Sequence, residues 1–201
     1  MLRLTTERAA LRWVNRIMQL GCGWGSLSLW MAREFPASRI TAVSNSRTQR
    51  EHIEAQAAAR GLRNLEVITC DVNELDFGPG TRFDRVVSVE MFEHLRNHAV
   101  LLHRIAGWMA PGATLFVHIF THRCFSYAFE AVDDTDWMAR HFFTGGIMPG
   151  NDLLHWYQDD LRLREQWLVD GRHYQLTAEA WLSNMDRHRA TLLPLFEQTY
   201  G

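Results

Sequence analysis

Five short apolar runs, separated by stretches with helical spacing, fill the first 120 residues. Arg16–Leu20, Arg39–Val43, Leu65–Cys70, Phe83–Val89 and Ala113–Phe120 read as buried strands. Between them, Trp24–Phe35 carries Leu27, Trp30, Met31 and Phe35 on one helical face. Asn97–Met109 does the same with Leu101, Leu102, Ile105, Trp108 and Met109, and Pro111-Gly112 is read as its stop. Ser46 suits the cap of the helix after the second strand, and Gly61 suits its end. Such alternation implies right-handed crossovers, hence an α/β fold with a mostly parallel sheet and helices on both faces.

Beyond residue 120 the pattern changes. Residues 121–160 are rich in aromatics and glycine and predict short helices; Leu161–Val169 suggests a strand. Thr177 is placed to cap an amphipathic C-terminal helix containing Trp181, Met185, Leu192 and Leu195. The expected organisation is a single domain over 1–201, with a ligand-binding core in 1–120 and a helical, aromatic cover in 121–201.

Charge narrows the partners. The 21 basic residues, all Arg, face 23 acidic ones for a net charge of -2. Without lysine there is neither a lysine Schiff base nor a P-loop lysine. No clustered basic surface suggests nucleic acid. No apolar run approaches the roughly 18 residues of a membrane span, and Arg3, Glu7, Arg8 and Arg12 interrupt any leader pattern. Three scattered cysteines, Cys22, Cys70 and Cys124, make neither a disulfide frame nor a zinc site, and fit a reducing cytosol. A cytoplasmic protein without stable membrane insertion is expected.

The strongest local motif is Gly21-Cys22-Gly23-Trp24-Gly25, between a strand and a helix. In open α/β sheets this turn lies at the carboxyl end of a central strand, where ligands bind. Glycine lets a ligand approach the backbone, although tight packing alone also selects it. The dinucleotide fingerprint wants glycine at position 26, which is Ser26, so a ligand without a pyrophosphate fits better. Asn45 ends the second strand where ribose-binding side chains stand, and Gln49 follows one helical turn later. Asp71 ends the third strand, with Val72 next; its carboxylate suits an adenine amino group. The plainer readings are a turn residue for Asn45 and a strand-end carboxylate for Asp71.

The fourth strand runs into Glu90-Met91-Phe92-Glu93-His94. On a helical turn Glu90, Glu93 and His94 share one sector, while Phe92 points away. Two carboxylates and an imidazole suit proton removal and cation binding. A solvated first helical turn is one alternative. A metal site on Glu90, His94 and His98 is another, without a third strong ligand motif to support it. His118 and His122 are read as packing or loop residues.

These residues resemble the S-adenosylmethionine-dependent methyltransferases of the cyclopropane-fatty-acyl-phospholipid synthase superfamily, in its coclaurine N-methyltransferase-like branch. The matching runs are LGCGWGSLSLW (20–30), SNSRTQREHIE (44–54), CDVNE (70–74), SVEMFEH (88–94), HFFTGGIMPGNDLL (141–154) and GRHYQLTAEAWL (171–182). The resemblance implies a Rossmann-like class I methyltransferase fold. It implies S-adenosyl-L-methionine against Gly21, Gly23, Gly25, Asn45, Gln49, Asp71 and Val72, with Val87 lining the same pocket. It implies catalytic roles for Glu90, Glu93 and His94 and a small aromatic or alkaloid-like amine as acceptor. Trp137, Phe142, Phe143 and Tyr174 are candidates for an aromatic wall around a cationic substrate. Modification of unsaturated phospholipid acyl chains is the alternative, and a non-catalytic cofactor-binding fragment or partner subunit a second. Gln19 stands where the family usually has an acid. Family members also extend further at both ends, so an incomplete sheet and self-association are expected.

Overall fold

The computed structural model describes residues 1–13 and 15–200. Its contacts divide the chain into a unit of Met1–Arg162 and a second from Leu163 on.

The first unit opens with α1 (Leu2–Arg8) and continues through β1 (Arg16–Leu20), α2 (Ser26–Glu34), β2 (Arg39–Ser44), α3 (Arg47–Ala59), β3 (Leu65–Thr69) and β4 (Phe83–Val89). After a 3-10 turn at Phe92–His94 come α4 (His98–Trp108) and β5 (Met109–His118). The five strands form one parallel sheet in the order β3-β2-β1-β4-β5. The chain moves outward from β1 to β3, then returns to start again on the other side at β4. The carboxyl ends of β1 and β4 therefore flank the point where the strand order reverses, the ligand-binding crevice of such sheets.

Alternation along the strands sorts the core onto two faces. Met18, Leu20, Val43 and Val86 pack with Leu101, Leu102, Ile105 and Trp108 of α4. Ile17, Ile40 and Phe116 face the other way, against Leu27 and Met31 of α2, while Ala42 and Val67 meet Ile53 and Ala57 of α3. Each fully buried aliphatic side chain here contributes about 1.5–3 kcal/mol. Ser46 caps α3 as expected, accepting from the Gln49 amide, and Gly61 follows its end with φ +67°.

Differences from expectation have local causes. Pro111-Gly112 does not stop α4. The helix ends at Trp108, and both residues lie in β5, where edge position tolerates proline. The ladder absorbs them with a register shift, since Met109 pairs with Phe83 but Thr114 with Arg85. After β5, the expected short helices share residues 121–160 with an antiparallel pair: β6 (Tyr127–Ala128), α5 (Trp137–His141), β7 (Ile147–Met148) and a 3-10 turn at Leu153–Trp156. Leu161–Val169 is not a strand. No neighbouring strand pairs with it among the described residues, and an unpaired strand leaves its backbone groups without a ladder.

The second unit contains α6 (Arg172–Arg187) and α7 (Arg189–Tyr200), two helices where one was expected. Thr177 does not cap. The helix starts at Arg172 after Gly171, so Thr177 sits inside it and its hydroxyl donates to the His173 carbonyl at 3.0 Å. Trp181, Met185 and Leu195 remain exposed. Among the described residues of this unit none is fully buried. No helix of the described chain is long and apolar enough to cross a membrane.

Candidate active site

Parallel strands bring their carboxyl ends to one edge. In spatial order that edge carries Asp71 after β3, Asn45 after β2, the glycine turn after β1 and Glu90 after β4. The row spans three inter-strand spacings, about 14 Å, room for an extended nucleoside.

Its glycines have different jobs. Gly21 leaves β1 with φ +74°, and a Cβ there would stand 2.8 Å from the Met91 Cβ. Gly25, φ +84°, would place a Cβ 2.5 Å from Ile53 Cγ1. Both are packing glycines, and Gly21 presses the turn directly against the loop that holds the acidic cluster. Gly23, φ +50°, has nothing within 4 Å of its would-be Cβ. The turn is thus open to a ligand at Gly23. The turn is pinned by the Gly21 and Cys22 amides, which donate to the Val43 carbonyl at 3.1 and 3.0 Å. The Cys22 thiol is buried, and burial pushes its pKa up to about 11, so it is not a nucleophile.

Asn45 is exposed beside the turn. Gln49 accepts from the Ser44 hydroxyl at 2.6 Å, which orients its amide near the end of β2. Asp71 is exposed, and its Oδ1 accepts from the backbone and side-chain nitrogens of Asn73 at 2.8 and 2.9 Å. Val72 packs on the core beneath. Val87 is a correction. It lies inside β4, opposite Gln19 and Phe116, and is wholly buried in the core, so its side chain faces α2 rather than the strand ends. Gln19 is also buried, and its Oε1 accepts from Ser28 at 2.8 Å.

The acid–imidazole loop is built differently from the helical turn expected. Glu90 takes φ +52°, a left-handed conformation that non-glycine residues adopt at a cost. A 3-10 turn then carries Glu93 and His94, with Phe92 turned fully into the core. Glu93 is 1% exposed, and its Oε2 is buried without a hydrogen-bond partner. Burial above all pushes the Glu93 pKa from 4.5 up to about 8. The negative charge of Glu90 and a hydrogen bond with it add to the rise, against a lowering backbone hydrogen bond. The structure thus brings the two carboxyls together. His94 is exposed at its edge but stacks on Phe143, centroids 5.1 Å apart. Partial burial holds its pKa below the ordinary value, although the Glu90 charge pulls it upward. Imidazole neutrality at pH 7 follows. His98 turns inward, its Nε2 3.0 Å from the Phe92 carbonyl, which places it in the core.

Two features were missed in the sequence. His118, the last residue of β5, places its Nδ1 2.8 Å from Glu90 Oε1, and its carbonyl accepts from the Glu90 amide at 2.9 Å. Adjacent parallel strands set Val89 opposite His118, so strand neighbourhood was the signal available. The aromatic wall also differs. Phe143 is buried between Phe129 at 4.8 Å and Phe120 at 5.4 Å, with Phe142 edge-on at 4.7 Å. Phe120 and Phe129 replace Trp137, which pairs instead with His141. Tyr174 belongs to the second unit, exposed on α6. Gly146 carries the wall close to the acids: a Cβ there would lie 2.8 Å from the Glu93 carbonyl, and Arg96 Nε donates to the Gly145 carbonyl at 2.8 Å.

Comparison with known proteins agrees with this architecture. (S)-coclaurine N-methyltransferase of Thalictrum flavum subsp. glaucum is 37% identical over 203 residues, covering 100% of this chain and 56% of the relative. The enzyme of the same name from Papaver somniferum is 34% identical, covering 94% and 54%. The crystal structure of a coclaurine N-methyltransferase bound to N-methylheliamine and SAH superposes with a TM-score of 0.93 at 34% identity, covering 100% of this chain and 59% of that one. The chain therefore spans little more than half the length of these relatives. Its fold is the Rossmann-like class I methyltransferase fold. The family described as mycolic acid cyclopropane synthetase matches residues 1–200, and the chain belongs to it.

Proposed function

We propose that the chain is an S-adenosylmethionine-dependent N-methyltransferase acting on a small, aromatic amine in the cytosol. One observation carries this reading: a buried carboxyl with an unpartnered oxygen, Glu93, stands beside Glu90 and His94, on a loop that touches the glycine turn. The similar N-methyltransferases and the SAH-bound relative support both cofactor and amine. Three free cysteines support a reducing compartment.

Gly23 and the turn would hold the cofactor's central part, Asn45 and Gln49 its ribose, and Asp71 with Val72 its adenine. S-Adenosylmethionine, when bound, supplies a methyl group on a sulfonium that a neutral nitrogen takes by in-line displacement. The chain's task is to deliver that nitrogen neutral and aligned. An amine arrives largely as its ammonium at pH 7, and the exposed ring of Phe142, beside the buried Phe143, favours a cation. Glu90 is held in place by His118, whose Nδ1 lies 2.8 Å from its Oε1. The ammonium offers Glu93 the partner its Oε2 lacks, which favours ionised Glu93 over the protonated form of the free protein. Glu93, its own proton released to solvent, then takes the nitrogen's proton, and neutral His94 orients the amine. Holding nitrogen and methyl in line is worth about 7–11 kcal/mol of the barrier.

The test is incubation of the purified chain with methyl-labelled cofactor, a panel of amines and unsaturated phospholipid, read by mass spectrometry. Label on an amine nitrogen is expected. Label on acyl chains alone would establish lipid modification, and no transfer would leave a cofactor-binding fragment. The outer edge of β5, unpaired among the described residues, supports self-association of the chain, which sedimentation measures.

A further inference from the structure

We propose that Arg104, on α4, is a positioning residue that sets the adenine-reading carboxylate of Asp71 without touching the ligand. The proposal rests on the cofactor reading above. Arg104 Nη1 donates to the Val72 carbonyl at 2.6 Å and the Asn73 carbonyl at 2.8 Å, and Nη2 donates to the Leu75 carbonyl. The guanidinium carbon lies 5.3 Å from the centre of the Trp108 ring, a cation–π contact that fixes the side chain from α4.

The geometry of one peptide group links this anchor to the ligand side. The Val72 carbonyl and the Asn73 N–H belong to the same planar trans unit, so they point in opposite directions. Arg104 holds the carbonyl end. The N–H end donates to Asp71 Oδ1 at 2.8 Å, and the Asn73 side chain donates to the same oxygen at 2.9 Å. With Oδ1 taken twice, Oδ2 is the oxygen left to accept from an incoming exocyclic amino group. Turning the 72–73 peptide would release Asp71 to rotate. The guanidinium spreads its donors over two nitrogens in a fixed plane, a geometry that the single nitrogen of a lysine ammonium does not reproduce.

The test uses the intact chain and two ligands, S-adenosylhomocysteine and S-inosylhomocysteine, in which a carbonyl replaces the adenine amino group. Calorimetry on wild type is expected to show a preference for the adenosyl ligand of about tenfold or more, the scale of one hydrogen bond to a charged group. Arg104→Lys and Arg104→Met are expected to shrink that preference to roughly threefold or less, because a freely rotating carboxylate no longer rejects the carbonyl. A purely structural role would weaken both ligands equally and leave the ratio at its wild-type value, which would overturn the proposal. Wild type binding neither ligand would overturn the cofactor reading itself and this proposal with it. A measurement on unaltered protein covers variants that fail to fold. The Asn73 amide hydrogen should exchange at least about tenfold more slowly than in an unstructured peptide, and free exchange there would also overturn the proposal.

Discussion

The carboxyl ends of β1 and β4 lie side by side on one edge of the sheet and solve opposite problems. Both strands are left through a left-handed residue, Gly21 at φ +74° and Glu90 at φ +52°. At β1 the residue is glycine, so the turn costs little and frees room: Gly21 and Gly25 let Met91 and Ile53 close in, while Gly23 stays open. At β4 the same backbone conformation is forced on a carboxylate, and a second carboxyl is buried beside it. One end gains function by removing side chains, the other by holding ionisable ones where water would stabilise them better. Stability is given up at β4 and kept at β1.

Glu93→Gln separates the two strand ends by the largest effect. Turnover should fall by about 10²–10⁴-fold, the usual share of a general base, while cofactor binding measured by calorimetry stays near wild type. Stability should move the other way. Because the folded Glu93 pKa is raised from 4.5 to about 8, the folded state binds the extra proton between those values. Wild-type unfolding free energy therefore falls as pH rises through that window, by at most about 1.4 kcal/mol per pH unit. Denaturant titrations across pH should show that slope in wild type and its loss in Glu93→Gln.

At β1, Gly25→Ala should cost about 2–5 kcal/mol of stability through left-handed strain and the clash with Ile53. Gly23→Ala has the strain alone, about 1–2 kcal/mol, yet should lower cofactor affinity by about tenfold or more, since a methyl group then stands at the opening. If both variants lose affinity and stability in proportion, the three glycines are merely packing residues. Glu90→Gly sharpens the other half. It should relieve about 1 kcal/mol of backbone strain and, by removing a like charge, lower the Glu93 pKa, which carboxyl chemical shifts would report. His118→Gln is the mildest, with turnover down severalfold through loss of one hydrogen bond worth about 1 kcal/mol.

The sheet was legible because its strands are short, apolar and punctuated by turn residues, a pattern that depends only on neighbours in sequence. Asp71, Asn45, the glycine turn and Glu90 could be aligned because parallel strands end on one edge. What escaped reading depends on residues distant in sequence. The division of labour among three glycines is decided by Met91 and Ile53. His118 looked like a packing residue because its partner lies across the ladder. Val87 carries the right apolar character for a pocket wall, but its alternation turns it into the core. Leu161–Val169 has strand composition and, among the described residues, no strand to pair with. The aromatic segment behaves likewise: Phe143 is visible in the sequence, but its stacking on Phe129 rather than near Trp137 goes with the pairing of β6 and β7 and the Phe129 amide donating to the Gly146 carbonyl, which composition does not encode.

Under the proposed function Glu93 loses a proton held by burial before the amine is methylated, and the pH dependence of kcat/KM for methyl transfer to one amine, wild type against Glu93→Gln, reads that loss. The free enzyme's essential base sets this profile, so wild type should rise with pH and level off near the Glu93 value of about 8. The residual activity of the variant should lack that inflection. Identical profiles at full activity in both proteins would contradict the account.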